Sequence, residues 1–238
     1  EWLWFPYVAF GKVTLMHGNP GDGKTFASLK IASQCTRGEA LPGNVKLPPI
    51  NIMYQTAEDG LGDTVKPRLR ATNADTDKVF TIDDGGKPIT LTDPRLEKAI
   101  KTVGAKLLIM DPIQAFVGAG VDINRANEVR AVLTPLCEMA QRNKCAVILI
   151  GHLNKARGLV SICRGIGSMD FTATVRSVLI VGRYKDDPSI RIIVHDKSSL
   201  APEGDSIAFR LDGETSSFEW LDGYENVTAD DILIASRG

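Results

Sequence analysis

The sequence predicts an α/β fold of three layers, a parallel central sheet flanked by crossover helices and extended by antiparallel C-terminal strands. Three observations carry that expectation. Apolar runs of strand length recur along the first 150 residues, separated by longer segments of helical character. Most of these runs are apolar on both alternations, as strands covered on both faces must be. After Arg176 the pattern shifts to shorter runs broken by turn-rich pieces such as Lys185-Asp186-Asp187-Pro188.

The inner strands are read at residues 12–17, 50–56, 106–111 and 145–151. Helices fall between them, near 24–35, 63–71, 94–103 and 124–142, two with Asp or Asn near the start as caps. The spacer 37–49 contains Pro42, Pro48 and Pro49 and reads as a loop. Runs at 177–184, 190–196 and 206–211 read as the antiparallel extension. A chain of 238 residues fits one such domain. Residues 1–10 and 228–238 read as linker ends of a longer protein.

Composition narrows the function. Hydrophobic residues at 43% and charged residues at 24% are ordinary globular values and exclude a mostly disordered chain. Runs such as 146–150 and 178–181 are far short of the roughly 18 to 20 apolar residues that span a bilayer, so no membrane partner is expected. Cys35, Cys137, Cys145 and Cys163 form no CxxC pair. Reduced cysteines, and with them a cytoplasmic location, are the expectation. The start, Glu-Trp-Leu-Trp-Phe-Pro-Tyr, has no basic region before an apolar stretch and does not read as a signal peptide. Lys plus Arg number 28 against 29 Asp plus Glu, so any nucleic-acid role must come from a local patch.

The strongest chemical signal is Gly18-Asn19-Pro20-Gly21-Asp22-Gly23-Lys24-Thr25, which fits GxxxxGK[ST] after a predicted strand and at the mouth of a helix. Glycines let successive N–H groups turn inward around phosphate oxygens, and the helix N-terminus adds its partial positive charge. Lys24 then reaches the β and γ phosphates, and the Thr25 hydroxyl ligates Mg²⁺. The strand Leu107-Leu108-Ile109-Met110-Asp111 delivers a carboxylate where parallel sheets bind ligands, so Asp111 would hold the magnesium directly or through water. The strand 51–57 runs into Glu58 and Asp59. Hydrolysis needs a base to orient the attacking water, and Glu58 is the candidate, with Asp59 able to share the role. His152 ends another strand, placed to sense the γ-phosphate. From 139 to 169 there is no acid, while Lys155, Arg157 and Arg164 follow His152 among glycines. Such a basic loop suits a grip on a phosphate backbone, single-stranded DNA above all, although it lacks aromatics to stack bases.

The phrases GNPGDGKT, YQTAEDG, LLIMDP, GHLNK, RGIGSMDFTATVRSVLIV and DKSSLAPEG, spanning about residues 18 to 204, resemble the RecA/DnaB superfamily. Among its branches they are most similar to the RepA-like hexameric replicative helicases and their phage and mobile-element relatives. The resemblance implies a RecA-like ATPase domain that uses ATP and Mg²⁺, binds single-stranded DNA and forms a homo-oligomer, a hexamer in the helicase branch. It implies Lys24 as phosphate lysine, Thr25 and Asp111 as metal ligands, Glu58 as catalytic base and His152 as sensor. Arg176 resembles the arginine that approaches a neighbour's nucleotide, and Lys197 a paired lysine. Related proteins of the DnaB type carry an arginine two residues after that lysine, where this chain has Ser199, so activation in trans falls on Arg176 or Lys197, or is weak. The leading expectation is a replicative-helicase motor. A RecA-type recombination or DNA-loading ATPase and a nucleotide-gated oligomeric switch are its rivals.

Overall fold

The computed structural model describes residues 1–57, 65–83, 85–123, 125–152, 169–212 and 217–235. Six strands lie parallel: β3 (Val13–Gly18), β4 (Ile52–Thr56), β5 (Val79–Phe80), β6 (Leu107–Asp111), β7 (Ala146–His152) and β8 (Ser177–Arg183). Three more, β9 (Ile190–Ser198), β10 (Ile207–Leu211) and β11 (Phe218–Leu221), continue the sheet antiparallel. The order is β11-β10-β9-β8-β3-β7-β6-β4-β5. β3 therefore lies between β7 and β8, inside the sheet. The antiparallel extension starts one strand later than the sequence suggested, because β8 pairs parallel with β3 and antiparallel only with β9.

Continuous apolarity in the inner strands is explained by what covers them. Along β3, Met16 joins a core shared with α1 (Lys24–Arg37) and α2 (Lys66–Ala71), while Leu15 joins one shared with α3 (Pro94–Val103) and α4 (Ala126–Asn143). The same alternation holds for Ile148 and Leu149 in β7. α3 starts at Pro94, whose missing N–H costs nothing at a first helical position, and Asp93 caps it by accepting from the Arg95 N–H. Gly38 and Gly104 end α1 and α3 with φ of 67° and 64°, conformations that favour glycine. The stretch 37–49 contains no strand, and only its first residue belongs to a helix, as expected.

Of the two expected linker ends, the described parts pack against the domain through Trp4 and Ile232, and residues 236–238 lie outside the described residues. β1 (Trp2–Trp4) and β2 (Val8–Ala9) form an antiparallel pair. Trp4 is fully buried, its indole N–H donating to the Pro42 carbonyl at 2.9 Å and its ring 6.1 Å from that of Trp220. At the other end α6 (Ala229–Ala235) sets Ile232 against β8, where Gly182 leaves room for it; a Cβ on Gly182 would come within 2.9 Å of the Ile232 Cβ. α5 (Met169–Thr174) leads into β8. No helix among the described residues is long and apolar enough to cross a membrane.

Candidate nucleotide site

The loop that opens α1 starts where β3 ends, and its glycines are required by contact as well as by conformation. A Cβ on Gly18 would lie 2.1 Å from the Val181 carbonyl oxygen, inside any tolerable approach. Gly21 and Gly23 have φ of 81° and 91°, and a Cβ on Gly23 would press on Leu211 at 2.8 Å. Pro20 is exposed at the tip. Lys24 is buried, 4% exposed as a residue, and its ammonium donates to the carbonyls of Gly18 at 2.9 Å and Asn19 at 2.7 Å, so its charge sits within the curve of the loop.

Beside it, the Thr25 hydroxyl donates to Asp111 Oδ2 at 2.6 Å. Asp111 ends β6 and pairs in register with Thr56, the last residue of β4. A third oxygen joins them, the Tyr54 hydroxyl, donating to the same Oδ2 at 3.2 Å. Hard oxygen donors of this kind fit Mg²⁺, which takes one or two protein oxygens and completes its shell with phosphate and water. Among the described residues no group of three His, Cys, Asp or Glu side chains could hold a metal. Thr25 and Asp111, whose oxygens meet here, are the side chains that would hold such an ion, and its charge would supply electrostatic stabilisation to the phosphates.

His152 ends β7 paired with Gly18, next to the loop. Glu58 and Asp59, and the basic residues Lys155, Arg157 and Arg164, lie outside the described residues. Arg176 and Lys197 lie at the opposite end of the strands from Lys24. The Arg176 N–H donates to the carbonyl of Val13, the first residue of β3, and the Ser199 N–H donates to the Arg176 carbonyl at 2.9 Å. Six residues of β3, about 17–20 Å at 3.3 Å per residue, separate that edge from the phosphate loop. The Arg176 side chain is exposed there. Lys197 donates to the carbonyls of Thr172 at 2.5 Å and Val175 at 3.2 Å, closing the end of α5. Within one chain, neither reaches the phosphate loop.

Sequence reasoning missed four participants. Tyr54 is a buried strand residue; the signal was its hydroxyl, which burial obliges to find an acceptor. His17, fully buried, has no hydrogen-bond partner on either ring nitrogen among the described residues, and burial, with Lys24 nearby, lowers its pKa to about 4. Arg183 and Arg191 approach the loop from β8 and β9 through Asp22. No motif in their own segments announced that contact.

A glycine loop with its lysine and threonine at the head of a helix, faced by a strand-end aspartate in a mostly parallel sheet, defines a P-loop ATPase of the RecA/DnaB superfamily. The family model described as AAA domain (AAA_25) matches residues 1–158, and the chain belongs to that family. It is 29% identical over 156 residues to DNA repair protein RadA of Mycobacterium tuberculosis (strain CDC 1551 / Oshkosh), a match covering 61% of this chain and 28% of the relative. To DNA repair protein RadA of Helicobacter pylori (strain J99) it is 23% identical over 210 residues, covering 86% and 41% respectively. The chain thus spans well under half the length of these curated relatives. Among solved structures a chain described as an ATPase domain matches with a TM-score of 0.67 and 14% identity, over 90% of this chain and 86% of that one. That likeness is one of fold.

Proposed function

We propose that the chain is a single motor domain that hydrolyses Mg-ATP, binds single-stranded DNA and works within a replicative helicase of the RepA/DnaB kind. The observation that supports it best is the separation of charges. Lys24, Thr25 and Asp111 gather at one end of the strands, while the exposed Arg176 stands at the other. Phosphoryl transfer gains when a cation reaches the γ-phosphate, and a head-to-tail homo-oligomer would bring one protomer's Arg176 to the next protomer's nucleotide. In this reading Glu58 orients the attacking water, His152 senses the γ-phosphate and Lys155, Arg157 and Arg164 grip the DNA backbone. Lys197, committed to the carbonyls at the end of α5, serves by holding the segment before Arg176 in place.

The names of the RadA relatives favour a second reading, a DNA-repair or recombination ATPase. One set of measurements separates the two. ATP turnover with and without single-stranded DNA, together with unwinding of a forked duplex, should show stimulation and strand separation for a helicase motor. Stimulation without unwinding would move the assignment to the repair class, and turnover indifferent to DNA would sink both.

A further inference from the structure

Asp22 is out of place by its charge. The loop around it exists to receive a polyphosphate, yet Asp22 puts a carboxylate inside that loop, 3% exposed. A buried anion beside an incoming anion opposes binding unless something compensates it. Compensation comes from the neighbouring strands. Arg183, the last residue of β8, brings Nε to 3.6 Å from Asp22 Oδ1 and donates from Nη2 to the Gly21 carbonyl at 3.4 Å. Arg191 stands directly opposite Arg183 across β8 and β9. Like charges so placed repel, and Asp22 is the anion that both of them feel. Burial pushes the Asp22 carboxyl up, while Lys24, the Asn19 N–H, Arg183 and Arg191 hold it down.

We propose that Arg183, seconded by Arg191, is a positioning residue for the nucleotide: it neutralises Asp22 and ties the crest of the phosphate loop to β8 and β9. Asp22 shapes the loop in return, since its Oδ2 accepts from the Asn19 N–H at 3.1 Å and its own N–H donates to the Asn19 carbonyl at 3.3 Å. An asparagine at 22 keeps that acceptor and drops the charge. The carboxylate is therefore useful for its shape and harmful for its charge, and Arg183 removes the harm. The inference rests on the phosphate loop taking nucleotide and is independent of any role with DNA.

The sign of the double mutant decides it. A fluorescent ATP analogue with Mg²⁺ is titrated into the wild type, Arg183→Ala, Asp22→Asn, the double variant and Lys24→Ala, with melting curves recorded for each. Arg183→Ala should weaken binding about 10-fold, the scale of one lost charge-assisted contact. Asp22→Asn, which keeps the acceptor and removes the opposing charge, should bind more tightly than the wild type, and in the double variant it should restore affinity to within about 3-fold of wild type. Arg183→Lys keeps the charge and should also stay within about 3-fold, which covers the case of an alanine variant that melts early. A double variant weaker than Arg183→Ala alone, or a 10-fold loss in Arg183→Lys, would overturn the proposal. Wild-type binding by Lys24→Ala would instead overturn the phosphate-loop site itself.

Discussion

The two ends of β3 and β8 carry the same kind of residue in opposite circumstances. At the phosphate loop the cations are committed: Lys24 to the carbonyls of Gly18 and Asn19, Arg183 to Gly21 and Asp22. At the other edge Arg176 is exposed, and Lys12 and Arg176 both act on the thiol of Cys137, whose pKa is nonetheless raised, chiefly by burial. A charge that serves its own chain's ligand is held close by hydrogen bonds and ion pairs, whereas one meant for another molecule must stay reachable. Lys197, at the same far edge, is committed to the carbonyls of Thr172 and Val175, so the contrast singles out Arg176; in the proposed oligomer it would make Arg176 the group that faces outward.

The comparison breaks most readily in a mixing experiment. Arg176→Ala is expected to lower kcat by about 10³-fold, the low end of what a cation delivered to the γ-phosphate contributes, and Lys24→Ala to abolish nucleotide binding. Co-assembled, the two variants form some boundaries with an intact Lys24 from one protomer and an intact Arg176 from the other. Activity in the mixture, absent from either alone, is the expected result; none, in a mixture shown to assemble, would return Arg176 to a local role.

Next in size is Glu58→Gln. The amide should leave ATP affinity within a few-fold while turnover falls about 10²-fold or more, the usual loss of a positioned base. An affinity that falls in step with turnover would make residue 58 part of binding.

His17 sharpens the picture of the buried end. Its folded pKa of about 4 lies below the ordinary 6.5, so between those values the unfolded chain takes a proton that the folded one refuses. Stability from this residue is therefore full above pH 6.5 and declines toward pH 4, by about 3 kcal/mol in all at 1.36 kcal/mol per unit. Chemical unfolding of His17→Leu across that range should show a shallower decline than the wild type; parallel curves would show that His17 is not the group that titrates.

The smallest effect concerns the basic loop. Alanine at Lys155, Arg157 and Arg164 together should reduce the slope of log affinity against log salt for single-stranded DNA by about 2, at about 0.7 per phosphate contact. An unchanged slope would put the DNA path elsewhere.

What could be read from the sequence was what depends on near neighbours. The turn from β3 through Gly18 to Thr25 into α1 is a local pattern, as are the apolar β4, β6 and β7 with their polar tips. Pairings across long separations escaped. β8 lies against β3 some 160 residues earlier, and nothing in its composition shows that it runs parallel there. The aromatic start of the chain is core only because Pro42 and Trp220 arrive to cover Trp4. α6 is short and anchored through Ile232 against a glycine, a fit visible only with β8 in place. Tyr54 and Arg183 belong to the site by the same kind of distant encounter.

β8 and β9 have one more consequence. Each is basic at both extremities: β8 follows Arg176 and ends in Arg183, and β9 runs from near Arg191 to Lys197. β8 and β9 stay hydrogen-bonded from Arg183 down to Ser177, with an irregularity between Val178 and Leu179, so a continuous run of paired backbone joins the Asp22 contact to the Arg176 end. In the proposed head-to-tail assembly such a spar would have a direction, from the nucleotide a protomer holds toward its neighbour's nucleotide. Firing order around the assembly would then be written into the direction in which the subunits are stacked.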